Sequence, residues 1–507
     1  VATTMKSKES RKWWVLGALS FCLLAVGFDL TILNVALPTL SIELQASTSN
    51  LQWFANSYNL VLAAVLLPAG MLGDRFGRKK MLLGALVLFG LASAGCAYSD
   101  SAEMLIVMRA ILGIGAAFLI PLSMSVLPVL FEGTERTKAM MMWAVANMLG
   151  IPLGPILGGW LLKHYWWGSV FLVNIPLIII GLIAVATLMP ESRSSSARPI
   201  DLSGIVLSSF GLTSVTFGII RGGEQGWGDN ITIVALIVGF FILTGFVMWQ
   251  RRARHPLIDL SLFRSSHFTW GSILATLVSF ALFGLLFVMP LFFQAVAGND
   301  AFRTGLNLLP LIGGLIVGAR AANMLLPKIG AKYNAALGFA FIAAGLFIGT
   351  ATSVNSNYGY AAMWFAVTGL GLGLALPTTM DAALGALSAE RSGVGSALIM
   401  AMRQVGGAIG IAILGAVLNS SYRYRLDLSG LSDSAAEAVK QSVSSGVAVA
   451  KKAGSQELLI SVQGAFVHGM EMMLWVCGGI AVVGILLTLT FLPRQTAGHE
   501  VKESVGV

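Results

Sequence analysis

Asp29 is a carboxylate inside an apolar run, within Gly27-Phe28-Asp29-Leu30-Thr31-Ile32-Leu33-Asn34-Val35-Ala36-Leu37-Pro38. An ionisable side chain at membrane depth is costly and marks a functional site by default. In apolar surroundings Asp29 could carry a proton near neutral pH. It could equally hold a cationic group, one excluding the other, and that competition is a physical route to exchange across a membrane. The plainer reading is a structural carboxylate paired with Asn34 or an arginine. Arg109 precedes Gly113 and Gly115 in another apolar run. Burying it costs about 2.5–3.5 kcal/mol, so it should meet a cavity or a partner, where it could drive a proton off a carboxylate. Arg403 stands in Met402-Arg403-Gln404-Val405-Gly406-Gly407-Ala408-Ile409-Gly410, which reads as a packed pivot or a site for a carboxylate. Glu471, with His468, begins the last apolar run, and Asp381 follows Pro377 at an interface.

Two glycine-rich stretches could move or lock helices. In Gly73-Asp74-Arg75-Phe76-Gly77-Arg78-Lys79-Lys80, Gly77 allows a tight turn between two helix ends. Asp74 suits the N-terminus of a neighbouring helix. Arg75, Arg78 and Lys79 could pair with Glu132 and Glu135, a cluster that must break for one face to open. The bland alternative is a cationic anchor. Gly150, Gly154, Pro155, Gly158 and Gly159 lie together mid-run; small residues let helices approach and proline bends the helix, which suits a hinge. Trp53, Phe54, Asn56, Tyr58 and Asn59 cluster in the second run, while Met140 to Met142 and Trp143 open the fifth. Aromatics and methionines suit flat or cationic ligands, although packing or an interfacial belt explains each one singly.

These residues need elements that span a bilayer. Of 507 residues, 56% are hydrophobic and 11% charged, and mean hydropathy is +0.82. Apolar runs of spanning length occur near 13–37, 51–72, 81–99, 104–129, 138–162, 168–189, 203–220, 231–249, 270–296, 305–326, 333–352, 359–378, 394–418 and 466–493, fourteen in all. Lipid offers no partner to backbone N–H and C=O groups, so each run is helical. The first run is too long for a cleaved leader, lacks a small-residue cleavage site and is read as a retained span. With the N-terminus inside, roughly 22 of the 32 Lys and Arg residues fall in inside segments. Both termini are therefore expected in the cytoplasm. The net charge of +9 reads as this bias and not as a nucleic-acid surface. Cys22, Cys96 and Cys477 all sit in apolar runs, so no disulfide or metal site is expected.

A faint internal echo follows the tenth run. Pro327-Lys328-Ile329-Gly330-Ala331-Lys332 places Lys328 for Arg75, Gly330 for Gly77 and Lys332 for Lys79. It implies two six-helix halves, residues 1–200 and 256–507, with residues 201–255 as an inserted two-helix hairpin. The loop 419–465 is the one sizeable extramembrane piece. Its stretch Ser432–Ala453 reads as short helices outside the membrane, a solvated hairpin in preference to a cap over the outer vestibule.

In combination, the Asp29–Pro38 stretch, Gly73–Lys80, Arg109–Gly115, Gly150–Gly159 and Met402–Gly410 resemble the major facilitator superfamily. Within it, the chain is similar to the fourteen-span EmrB/QacA-like drug:proton antiporters. The resemblance covers nearly the whole chain. It implies an all-α membrane fold of 6+2+6 helices, alternating access around a central cavity, and proton-coupled multidrug efflux from the cytoplasmic membrane. It assigns Asp29 to the cavity, Arg109 to proton coupling, Gly154 and Pro155 to the antiporter signature, and Asp74, Arg75 and Arg78 to the cytoplasmic gate. Relatives that export divalent cations carry acids where this chain has Asn56, Leu308–Gly314 and Ser396–Met402. Lipophilic monovalent cations or neutral drugs are the better expectation, with protons and membrane lipids as the other partners and a monomer as the default state. A dedicated exporter of one metabolite or antibiotic uses the same scaffold; an uncoupled lipid or sterol handler and a membrane receptor are further alternatives. No nucleotide loop, metal-ligand spacing or nucleophile–base pair is present, so an ion gradient and no cofactor is the expected energy source, and enzyme activity is not expected.

Overall fold

The computed structural model describes residues 2–131, 133–192, 201–385, 387 and 389–493; within these, the side chains of 2–10, 74, 128, 129, 133, 134, 136–138, 140, 141, 144, 145, 147, 148, 151, 152 and 389–393 are not described. Residues 193–200, Glu132, and the side chains of Asp74, Met140 and Met141 lie outside the described residues.

The regular structure among the described residues is helical. Its first part comprises α1 (Ala2–Glu43), α2 (Thr48–Phe76), α3 (Arg78–Ala97), α4 (Ala102–Leu130), α5 (Gly133–His164), α6 (Ser169–Leu172) and α7 (Asn174–Leu188). A hairpin follows, α8 (Leu202–Gln225) and α9 (Asn230–Arg252). Then come α10 (Ser266–Leu291), α11 (Ala301–Asn307), α12 (Leu309–Gly349), α13 (Tyr358–Leu384), α14 (Ala389–Arg425), α15 (Asp433–Gln441), α16 (Val443–Ala453) and α17 (Gln456–Phe491). Twelve helices among the described residues are long and apolar enough to cross a membrane, so this is a multi-pass membrane protein. Polar caps set many helix starts: Ser47, Ser101, Asp229, Asp300 and Asn357 each accept a backbone N–H from their own first turn.

Two glycines break helices in the same way. Gly77, at φ 108° and ψ 127°, separates α2 from α3. Gly330, at φ 76° and ψ 165°, interrupts α12 between its two segments. Both conformations are open almost only to glycine. The echo between the two loops is therefore mirrored in backbone geometry.

The residues around 419–465 depart from the expected long loop. α14 continues to Arg425 and α17 begins at Gln456, leaving only α15 and α16 between them. Hydropathy drops before these helices end because their tips are covered by protein instead of lipid: Tyr422 and Val462 are buried. Nor is α15–α16 merely solvated. Val439, Val443, Val447 and Ala450 join the main hydrophobic core. Tyr422 donates its hydroxyl to Val439 O at 2.8 Å.

Candidate functional site

The centre of the site is built from three helices. Asp29 on α1 pairs with the Arg109 guanidinium on α4. Arg109 also donates from Nε to Phe54 O on α2 at 2.9 Å. Its guanidinium lies 4.5 Å from the Tyr58 ring centroid. Asp29 and Tyr58 are 0% exposed and Arg109 2%, so the group is closed to solvent in this conformation. About 21 Å of helix separates Asp29 from Glu43 at the end of α1, which places the pair deep inside the span. Gly113 makes the geometry possible: a Cβ there would lie 2.7 Å from Tyr58 O, so α4 can approach α2 only with glycine at this point. Arg109 thus meets both needs that burial imposes, a counter-ion and acceptors for its N–H groups.

The satisfaction is incomplete. Asp29 Oδ1, Tyr58 OH and both polar atoms of Asn56 are buried and find no hydrogen-bond partner among the described residues. Asn34 does not join Asp29; its amide lies 3.5 Å from Leu30 O of its own helix. Trp53 turns away from the pair and packs with Ile219, Ala412 and Ala416 of α8 and α14.

The glycine stretch of α5 forms a seam with two helices. Gly150, Gly154 and Gly158 face α1, where a Cβ on Gly150 would lie 2.6 Å from Gly27 Cα and one on Gly158 2.5 Å from Ile32 Cγ1. Gly159 faces α11, where a Cβ would lie 2.5 Å from Ala301 O, and Pro155 O abuts Gly305 of that helix. The outer edge of this seam carries a Lys163–Asp300 ion pair at 3.5 Å.

The same end of the molecule holds further bonds between early and late helices. Gln52 donates to Ile411 O at 2.9 Å and Ala412 O at 3.1 Å. Gln294 donates to Val35 O at 2.8 Å. Ser41 and Ser442 are 2.6 Å apart, and Thr48 donates to Gln441 O at 3.0 Å. The end carrying the α1–α2 turn is therefore closed. Gln52 was not singled out in the sequence, although an amide inside an apolar run is a signal for bonding between helices.

At the opposite end, an acid not singled out in the sequence, Glu191, meets the Gly73–Lys80 loop. Glu135 pairs with Lys12 at 2.5 Å. Glu191 instead accepts from Lys79 N at 3.1 Å and Lys80 N at 3.3 Å. It lies against Gly77, where a Cβ would come 2.8 Å from its Oε1. The start of α3 presents unpaired N–H groups and a positive dipole end, so a carboxylate arriving from beyond α7 is well placed there. Lys79 Nζ donates to Ala186 O at 2.7 Å. Arg75 is exposed, and the Arg78 backbone donates to Ser192 O at 3.0 Å.

Glu471 is not at the start of its helix. Because α17 begins at Gln456, Glu471 lies about 22 Å along it, part-exposed and 3.7 Å from His468 Nδ1. Asp381 is exposed. Arg403 donates to Ser279 Oγ at 3.0 Å and lies 3.7 Å from Met380 Sδ.

Comparison with known proteins agrees with this architecture. Residues 19–411 match the family model for the Major Facilitator Superfamily. The chain is 32% identical to the tetracenomycin C resistance and export protein of Streptomyces glaucescens, over 82% of this chain and 78% of that one. It is 32% identical to the multidrug efflux pump LfrA of Mycolicibacterium smegmatis, over 94% and 96%. Among solved structures, the fold is similar to a bacterial homologue of the human lysosomal transporter Spinster in an inward-facing, unoccupied conformation. That match has a TM-score of 0.68 and 17% identity and covers 96% of this chain and 99% of the other. A D-xylose–proton symporter matches with a TM-score of 0.60 and 15% identity over 95% and 98%. With its matched span, its closed helix seam and its helical architecture, the chain belongs to the Major Facilitator Superfamily, a family of membrane transporters and not of enzymes.

Proposed function

We propose that this protein exports lipophilic small molecules in exchange for protons, by alternating access, from the cytoplasmic membrane with both termini inside. The observation that carries the reading is the buried Asp29–Arg109 pair, with Asp29 Oδ1 unpartnered. A carboxylate held by one arginine can take a proton when the helices around it shift and release it when they return. The names of the relatives, resistance and export proteins and a multidrug efflux pump, support export. The resemblance read from the sequence puts lipophilic cations first among compounds to try.

The fourteen-span, 6+2+6 arrangement belongs to the same proposal. The break at Gly330 divides α12 into two segments. α5, 32 residues long, packs beside α1. Counting α5 and both segments of α12 with the other long helices brings the number to fourteen. The Gly154–Pro155 seam is the hinge on which the two halves rock, and the Gly73–Lys80 loop is the cytoplasmic gate.

Reconstitution in liposomes with an entrapped pH-sensitive dye tests the coupling. On addition of tetraphenylphosphonium or ethidium across a proton gradient, the wild type should move protons and Asp29→Asn should not. Equal proton movement in both would make Asp29 structural and turn attention to Glu471. A narrow-substrate exporter is the second reading, favoured by the relative named for one antibiotic; a panel in which one compound class alone moves protons would select it.

A further inference from the structure

Arg109 and Arg403 both lie within spans, and their surroundings differ. Arg109 is sealed from solvent and neutralised by Asp29. Arg403 lies about 13 Å of helix inward from Val394 and about 33 Å from Arg425, so it too is at membrane depth. Its contacts are a neutral hydroxyl, Ser279 Oγ, and a thioether, Met380 Sδ. No Asp or Glu among the described residues forms an ion pair with it. Asp381, next to Met380 in sequence, is exposed and is not its partner. A guanidinium has five N–H donors in a planar fork, and among the described residues most of them have no acceptor.

The direction of the side chain excludes lipid as its surroundings. Gly406 and Gly410 pack on α10, where their Cβ positions meet Thr276 and Phe280. Arg403 is one turn before Gly406 and reaches Ser279, a fully buried residue of the same helix. Yet Arg403 remains part-exposed, as do Met380 and Met402 beside it. Leu67 of α2 packs into the same apolar cluster as Met380 and Met402. Arg403 therefore stands, part-exposed, among methionine and leucine side chains where α2 faces α13 and α14.

An uncompensated cation at this depth costs about 2.5–3.5 kcal/mol or more, and a ligand bearing the opposite charge removes the cost. We propose that Arg403 is an anion-recognition site, and that the transported compounds include lipophilic organic acids whose carboxylate or phenolate binds its guanidinium. The planar fork suits a two-oxygen acceptor. The flexible methionines fit apolar bodies of varied shape. This inference rests on the export reading for its direction of transport, though not for its binding chemistry.

The test uses 2-naphthoate and 2-naphthamide, which share one apolar body and differ in charge. Binding is measured by calorimetry on the purified full-length protein in lipid nanodiscs. The wild type should bind the acid about tenfold or more tightly than the amide. In Arg403→Gln that preference should fall to near unity with the amide unaffected, and Arg403→Lys should keep part of it. If Arg403→Gln does not fold, Arg403→Lys alone still reads the loss of the fork. Equal affinity of the wild type for acid and amide, no binding of the acid, or a preference that survives Arg403→Gln would each overturn the proposal. Displacement of naphthoate by chloride at an Arg403-dependent site would assign it to a small inorganic anion and overturn the substrate class. An Arg403-dependent preference without proton movement in liposomes would uphold the site and count against the export reading instead.

Discussion

Asp29 and Arg109, eighty positions apart in sequence, form an ion pair that solvent does not reach. Each side chain explains why the other is tolerated inside an apolar bundle. The pair also ties α1 to α4, and through Phe54 O and the Tyr58 ring to α2. A change at either residue therefore acts on stability and on coupling together, and the two effects can be separated.

Breaking the pair from one side leaves a buried charge uncompensated. Asp29→Asn and Arg109→Gln should each lower stability by about 3–5 kcal/mol. The double variant should lose less than the sum of the two. Thermal unfolding in detergent, analysed as a double-mutant cycle, reads the coupling. Strict additivity would mean that the pair contributes nothing as a pair.

The two glycine breaks should differ in tolerance. Gly77→Ala meets both an unfavourable φ and the Glu191 carboxylate. Gly330→Ala meets only the unfavourable φ, since nothing lies near its Cβ position. The cost of the backbone alone is about 1–3 kcal/mol. Unfolding temperatures should therefore fall further for Gly77→Ala than for Gly330→Ala, and Glu191→Ala should narrow the gap.

The α5–α11 seam is a wedge point. Gly159→Leu should force α11 away from α5, because even a Cβ would lie 2.5 Å from Ala301 O. Spin labels at Lys163→Cys and Asp300→Cys, whose native side chains approach to 3.5 Å, should report a longer and broader distance distribution in Gly159→Leu. An unchanged distribution would show that the seam adapts without opening.

Asp201 fastens the end of the α8–α9 hairpin opposite its turn. It accepts from Trp249 Nε1 at 2.8 Å, Gln250 Nε2 at 2.6 Å, Gly204 N at 2.8 Å and Leu257 N at 3.3 Å. Burial pushes its carboxyl up, but the hydrogen bonds from Trp249, Gly204, Gln250 and Leu257 together outweigh it and hold the group below the ordinary range. A lowered value means that the ionised form stabilises the fold. That contribution is complete above the unfolded value of about 3.9 and is lost as pH falls through the lower folded value. Unfolding temperature measured from about pH 7 down to about pH 3 should fall at the acid end. Asp201→Asn should remove that part of the slope and cost about 1–2 kcal/mol at neutral pH.

Much of the fold was legible because hydropathy and helix punctuation are local. Each apolar run carries its own length, and Gly77 and Gly330 announce their breaks through residue type. Asp29, Arg109 and Arg403 were legible as anomalies, since charge inside an apolar run stands out in one dimension. The ends of α14 and α17 were not, because protein rather than lipid covers them. The use of Glu191 rather than Glu135 at the Gly73–Lys80 loop was not legible either, because both are acids near helix ends and only helix placement decides which one arrives.

The sequence by itself determined that this chain is a bundle of membrane helices with three charges it had to accommodate. Partner choice was left to the tertiary structure. That Arg109 meets Asp29, that α5 closes on α11, and that Arg403 bonds to Ser279 and Met380 depend on which helices become neighbours. Those neighbours are set by side-chain packing between segments far apart in sequence, where glycine lets backbones touch and a bulkier residue would hold them apart. Local composition carries no record of that choice.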